Sequence, residues 1–375
     1  MVLTSALSLA AAGNAARADI VIAVPVSISG PGSSVGTPNR NATTLWPTEI
    51  GGEKLKVIVQ DDRSDPTEAS TVARRMIEED KVDVIVGGSL VPVSLAINAV
   101  ANEKKVPFLM LSPTPWQAGR DTWSFNLPQS VPLMASAVFD DMKKKGIKSV
   151  GFIGFSDSWG DQWLAALKGF AEKNSVKVVD EERYGRADTS VQGQTLKLLS
   201  SHPDAILVGG TSTAAALPQL ALREISFTGP IYHTHGAVGA PFLKIAGDAA
   251  DGALAPSGPA LIAEDLPATS PVAKPAHDFI AAYEGKFGAG TRTPFAAHGY
   301  DASIILGKAI PIALKTAKPG TPEFRAALRD AIEGLHDVAA TQGVYTFSPT
   351  DHLGLDDRAR ILVVVKDGQW HLAGQ

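Results

Sequence analysis

"KSVGFIG", residues 148–154, is a near-continuous apolar run ending in small residues, the signature of a strand buried on both faces of a parallel sheet. It decides the fold because the same pattern has already been used once. Upstream, "DIVIAVPV" (19–26), "LKVIVQD" (55–61), "VDVIVGG" (82–88) and "VPFLML" (106–111) read as strands. Helical patterns separate them. Asp65-Pro66-Thr67-Glu68 opens one, with a capping Asp, Pro at the first helical position and Glu at the third. It runs through "ASTVARRMIEED", and Pro92 starts the next, "VSLAINAVANEKK". "DDMKKKG" (140–146) is a helix end, with lysines at the negative pole and a glycine stop. From 148 the alternation begins again. "VKVVDEE" (176–182), "DAILVGG" (204–210) and "GPIYHT" (229–234) are strands, with helices from Gly160, Thr189 and Ser212. Two such runs predict an α/β protein of two doubly wound lobes with parallel central sheets.

The last third has helices at 271–287, 298–316 and 321–334, but only two late strands, "GVYTF" (343–347) and "RILVVVK" (360–366). Helices without strands of their own must cover another sheet. The Pro- and Gly-rich "ALAPSGPA" (253–260) therefore reads as a crossing back to the first lobe. The expected lobes are 19–127 with 257–340, and 128–256 with 341–375. About three segments join them across a cleft.

Bulk properties narrow the function. With 45% hydrophobic and 19% charged residues in 375, the chain describes a globular protein with a sizeable core. A net charge of −5 argues against nucleic acid as partner. The absence of cysteine excludes disulfides and Cys-ligated metal sites. The opening "MVLTSALSLAAAGNAARAD" reads as the remnant (1–18) of a signal peptide lacking its basic start, with cleavage expected after Ala18 and export to the periplasm. The run is too short to span a membrane.

Enzyme signatures fail in turn. Gly154-Phe155-Ser156-Asp157-Ser158 lacks the second glycine of a nucleophile elbow. There is no P-loop pattern and no G-x-G-x-x-G in the first strand-to-helix turn. "YHTHG" (232–236) offers His233 and His235, but two imidazoles without carboxylates or H-E-x-x-H make a weak metal site. No reaction, metal or cofactor is expected.

Binding is the better reading. Ligands of open α/β sheets sit beyond the C-terminal strand ends, where helix N-termini present free N–H groups. "SISGPGSSVG" (27–36), "GGSLVPVS" (87–94) and the turn from Leu111 to Trp116 follow first-lobe strands. They supply neutral hydroxyls and small residues suited to a carboxylate. The second lobe contributes "FSDSWGDQW" (155–163), "GGTST" (209–213) and "YHTHG". Trp159 lies in its loop as a stacking surface, whereas Trp163, one turn in, belongs to the core. Of the "YHTHG" residues, His235 is placed at the ligand. Tyr232 alternates with the histidines and is expected to pack against a helix.

Six stretches carry a family resemblance: "SGPGSSVGTPNRNA", "DDRSDPTEA", "VGGSLVPVSLA", "GFSDSWGDQW", "PDAILVGGTSTAAALPQLALRE" and "YDASIILGKAI". In this order and spacing, over Asp19 to Leu372, the chain resembles a type I periplasmic solute-binding protein of the leucine/isoleucine/valine-binding group that serves ABC importers. The resemblance implies lobes that hinge shut on a ligand and membrane permease subunits as partners. It also implies a site drawn from Ser33, Val35, Ser89, Val91, Pro92, Ser112, Thr114, Trp116, Trp159, Thr211 and His235. Amino-acid binders of the group hold the ligand ammonium with an acid, and by position that acid is His235 here. An aromatic of some relatives is Val35. A histidine is a poor partner for an ammonium. The expected ligand is therefore a carboxylate without an amine, aromatic by preference, with Trp116 and Trp159 as flat walls and a histidine or Tyr232 available to a ring hydroxyl. A ligand sensor on the same fold, or a true branched-chain amino acid binder, is the alternative.

Overall fold

The computed structural model describes residues 19–374, so the expected cleavage site after Ala18 lies outside the described residues. The chain begins with β1 (Ile20–Val26), α1 (Ser33–Thr43), β2 (Glu49–Ile50), β3 (Glu53–Asp61), α2 (Pro66–Glu78), β4 (Val84–Gly87), α3 (Val91–Lys104), β5 (Phe108–Met110) and β6 (Ser124–Asn126). These strands form one sheet in the order β2-β3-β1-β4-β5-β6. All neighbours are parallel except the short β2, which runs antiparallel to β3. Strand alternation explains the continuous apolar runs. Ile20, Ile22 and Val24 face one core while Ala23 and Ile85 face another on the opposite side. The predicted start of α2 is present as read, with the Asp65 carboxylate accepting from the Glu68 N–H at 2.8 Å.

A second unit follows: α4 (Val131–Lys144), β7 (Ser149–Phe155), α5 (Ser158–Asn174), β8 (Lys177–Tyr184), α6 (Gln192–Ser200), β9 (Ala205–Gly209), α7 (Ala216–Glu224), β10 (Ile231–His233), α8 (Ala240–Ala246) and β11 (Leu254–Ser257). The chain then returns to the first sheet with α9 (Ala273–Phe287), α10 (Pro294–Ala313), α11 (Pro322–Glu333) and a small hairpin of β12 (Val338–Ala339) and β13 (Val344–Tyr345). Ile305, Ile310, Phe324 and Leu328 of these helices cover Ile22 and Val24. Last come β14 (Ile361–Lys366) and β15 (Gln369–Leu372), which complete a seven-stranded sheet in the order β15-β14-β11-β10-β9-β7-β8. In it β14 runs opposite to the other strands and pairs antiparallel with both β11 and β15.

Two segments depart from the sequence expectation. Leu254–Ser257, read as part of a crossing, is a strand paired with both β10 and β14. Its Pro256 sits in the ladder with the antiparallel partner, and the crossing begins only at Gly258. "GVYTF", expected among the late strands of the second lobe, supplies just two strand residues, and Tyr345 and Phe347 pack into the core of the first. The Tyr345 hydroxyl donates to the Leu127 carbonyl at 2.7 Å, which holds this segment to the end of β6.

Candidate ligand-binding site

Between the two sheets lies a narrow cleft with a cavity volume of about 30 Å³. Its walls come from the segments that follow β4, β5, β7, β8, β9 and β10, from α1, from the first crossing at Pro128 and from the start of α10. After β4, Gly88 adopts φ +72°, and a Cβ there would fall 2.7 Å from that of Ser94. This glycine lets the chain turn tightly so that Ser89, Leu90 and Val91 reach the cleft. The α3 N-terminus carries no side-chain cap, so its first N–H groups remain available to a ligand anion. After β5, Leu111, Ser112 and Pro113 line the opposite wall, and Val35 of α1 closes this side.

The second lobe meets them with Trp159, Arg186, Thr211, His235 and Gly236. Asp157 caps α5, its Oδ1 accepting from the N–H groups of Trp159 at 2.9 Å and Gly160 at 3.3 Å. Its Oδ2 accepts from Arg186 Nε at 2.7 Å. Arg186 also donates from Nη1 to the Thr211 hydroxyl at 3.2 Å and lies over the Phe155 ring at 4.1 Å. The guanidinium is thus locked in direction, while its Nη2 has no partner among the described residues. His235 packs against Trp159 and Trp163, with ring centroids 5.1 and 5.7 Å away. Among the described residues neither of its ring nitrogens has a partner, nor has Trp159 Nε1. Burial pushes the His235 pKa down to about 3, because the imidazolium would lose its hydration with no anion to replace it. His235 is therefore neutral, and so is His298, pushed down to about 3 by burial and by the neighbouring His235.

Of the residues expected at the site, Val35, Ser89, Val91, Ser112, Trp159, Thr211 and His235 line the cleft. Ser33, Pro92, Thr114 and Trp116 do not. Ser33 opens α1, and Pro92 lies in the first turn of α3. The Thr114 hydroxyl is turned inward to Ser94 Oγ at 2.7 Å, and its N–H donates to Asn126 Oδ1 at 3.0 Å, so it braces the turn beside Ser112. Trp116 donates Nε1–H to the Asp121 carbonyl at 2.8 Å and packs on His352, away from the cleft. It supplies no ligand wall.

His233 also turns away, its Nε2 2.8 Å from Gln219 Oε1 and its ring against Phe242. Strand β10 ends at His233, so the alternation that would align it with His235 stops there. Tyr232 packs against α4 and donates to Asp141 Oδ2 at 2.7 Å.

Four cleft residues lie outside every stretch read as part of the site: Pro128, Arg186, Phe295 and His298. Arg186 follows a strand end like the others, in "YGRAD". Phe295 and His298 sit three apart at the start of α10, where Thr293 and Pro294 provide an N-cap and first-turn proline that marked the helix start. Among the described residues no group of three or more His, Asp or Glu could hold a metal ion. No helix among them is long and apolar enough to cross a membrane.

Comparison with known proteins agrees with this architecture. The periplasmic binding protein family matches residues 19–369. An extracellular ligand-binding receptor from Rhodopseudomonas palustris HaA2 is 48% identical, with a TM-score of 0.93 over 95% of this chain and 100% of that one. A leucine-binding protein from Thermotoga maritima is 25% identical, with a TM-score of 0.79 over 95% and 98% of the two chains. An amino acid binding protein from Pseudomonas aeruginosa is 25% identical over 241 residues, and the match spans 60% of this chain and 62% of that protein, less than two thirds of its length. These are binding proteins and not enzymes. With two largely parallel sheets, a cleft at their strand ends and a family match over nearly its whole length, the chain belongs to the periplasmic binding protein family.

Proposed function

We propose that the protein captures a small carboxylate without an amine, an aromatic acid in preference to a branched-chain amino acid, and delivers it to the permease of an ABC importer. The observation that carries this reading is the charge of the cleft. Its described lining holds one cation, Arg186, two buried histidines and no carboxylate. Asp157, bonded to Arg186 of the lining, already accepts from two backbone N–H groups and from that guanidinium. A ligand ammonium would be buried without an anion, at a cost of several kcal/mol in order of magnitude. A ligand carboxylate would instead meet the free edge of Arg186 and the open α3 N-terminus. Trp159 and Phe295, with Leu90, Leu111 and Pro113, give flat and apolar walls for a ring. Export as a periplasmic protein, with cleavage after Ala18, is part of the same proposal and rests on the apolar N-terminal run.

The test is a thermal-shift and calorimetric comparison of benzoate-type acids with leucine and valine. Benzoate-type acids are expected to raise the melting temperature and the amino acids to leave it unchanged. In Arg186→Met, folded by circular dichroism, affinity for the acid should fall about 10- to 100-fold, the worth of a charge-assisted hydrogen bond. Stabilisation by leucine or valine alone overturns the reading.

A further inference from the structure

We infer that His298 is a specificity-determining residue: its imidazole is held as a hydrogen-bond acceptor toward the cleft, so that the bound acid carries a hydroxyl donor where it meets this ring. The inference rests on the carboxylate reading above and adds a second functional group to the ligand.

Gln129 is a fully buried residue on the first crossing between the lobes. Its side-chain nitrogen Nε2 lies 3.2 Å from the Gln342 carbonyl and 3.1 Å from the Ala359 carbonyl. Carbonyl oxygens only accept, so the amide NH2 end must face them and the orientation of the amide is settled by chemistry. The other end, Oε1, is then a pure acceptor, and it lies 3.3 Å from His298 Nε2. Two acceptors cannot bond, so Nε2 carries the ring hydrogen. A neutral imidazole has one N–H, which leaves Nδ1 with a bare lone pair.

That Nδ1 is buried, belongs to a cleft-lining ring and has no partner among the described residues. Burial and the neighbouring His235 keep the ring uncharged, so protonation offers no escape. An unmet buried acceptor is destabilising, and a ligand donor entering the cleft would meet it. The two other orphaned groups at the cleft, Trp159 Nε1–H and the His235 ring, include a donor. A hydroxyl both donates and accepts. It is the smallest neutral substituent that satisfies His298 Nδ1 and takes a hydrogen from a neighbour.

The experiment measures calorimetric affinities for benzoate, 3- and 4-hydroxybenzoate, and 3- and 4-methoxybenzoate, which keeps the oxygen and removes the donor. In the wild-type protein one hydroxy isomer should bind about tenfold or more tighter than its methoxy counterpart, one hydrogen bond's worth. In His298→Ala the two should fall within about twofold of each other, with benzoate itself less affected. His298→Asn, which can place an amide oxygen near the lost Nδ1, should recover part of the preference. A wild-type protein that binds these acids without regard to the donor overturns the inference and leaves the carboxylate reading standing, as does a full preference retained in His298→Ala. Binding of leucine and none of the acids overturns both. If His298→Ala does not fold, the wild-type comparison and His298→Asn decide.

Discussion

At the scale of single residues, burial sets what each histidine can do. His233, His235 and His298 are all pushed down to about 3 from the usual 6.5, each chiefly by loss of hydration. The two that line the cleft therefore act as neutral hydrogen-bonding groups across the physiological range. Ligand affinity is expected to stay flat from about pH 8 to about pH 5, since neither the imidazoles nor the ligand carboxylate changes charge there. Titration calorimetry checks this, and a steady tightening below about pH 6.5 would reveal an imidazolium at the ligand. Stability behaves differently. The depressed histidines contribute fully above 6.5, and that contribution is lost as pH falls toward about 3. Buried Asp62 and Asp301 are raised to about 6 from 3.8, so their contribution is present below 3.8 and lost as pH rises to about 6. Between these limits His233, His235 and His298 oppose Asp62 and Asp301; below 3.8 the histidines are joined by carboxylates held below their usual range, such as Asp121 and Asp204, whose contribution is also lost as pH falls. A melting series should show a gentle decline on acidification, becoming steep below about pH 4.

At the scale of elements, the start of α10 matters most. The sequence pattern placed this helix from 298, yet it begins at Pro294, and the missed first turn carries Phe295 to the cleft. The apolar periodicity that reveals a helix comes from its core-facing stripe. Here that stripe is Ala302, Ile305, Leu306 and Ile310, all beyond the first turn. The Thr293 hydroxyl accepts from the Ala296 N–H at 3.1 Å. Thr293→Ala should cost about 1 kcal/mol of stability, read from denaturant unfolding. It should also weaken ligand binding severalfold, because Phe295 and His298 ride on the frayed turn. In α1 the pattern was obscured for another reason. "SGPGSSVG" carries turn residues, and Gly36 is needed inside the helix because a Cβ would fall 2.1 Å from the Ser27 carbonyl oxygen.

At the scale of the molecule, the crossings meet at one buried polar node. Gln129 from the first crossing bonds to carbonyls of Gln342 and Ala359. Gln342 in turn donates to the Pro294 carbonyl at 3.2 Å. Gly258, on the second crossing, lies against both side chains, and a Cβ there would fall 2.0 Å from Gln342 Oε1 and 2.3 Å from Gln129 Nε2. Its backbone is ordinary, with φ −80°, so the demand for glycine is steric. Gly258→Ala should displace both amides and lower stability by about 1–3 kcal/mol. Because the node joins the lobes beside His298, the same change should reduce the contraction that ligand addition produces in small-angle scattering. Unaltered contraction at lowered stability would separate the node from closure.

The sequence alone determined the α/β class, the doubling of the pattern and most of the strand-end turns that line the cleft, because strand periodicity and turn composition are local properties. It also marked His235 as a histidine in place of an acid, and the cleft does hold that ring with no carboxylate in its described lining. Only the tertiary structure brought Arg186, Phe295 and His298 together, removed Trp116 and Thr114 from the lining, and turned His233 to the far side. The reason is geometric. Which side chain enters a cleft depends on the residue at which a strand stops and on how segments distant in sequence, such as Gln129 and His298, come to share one hydrogen bond.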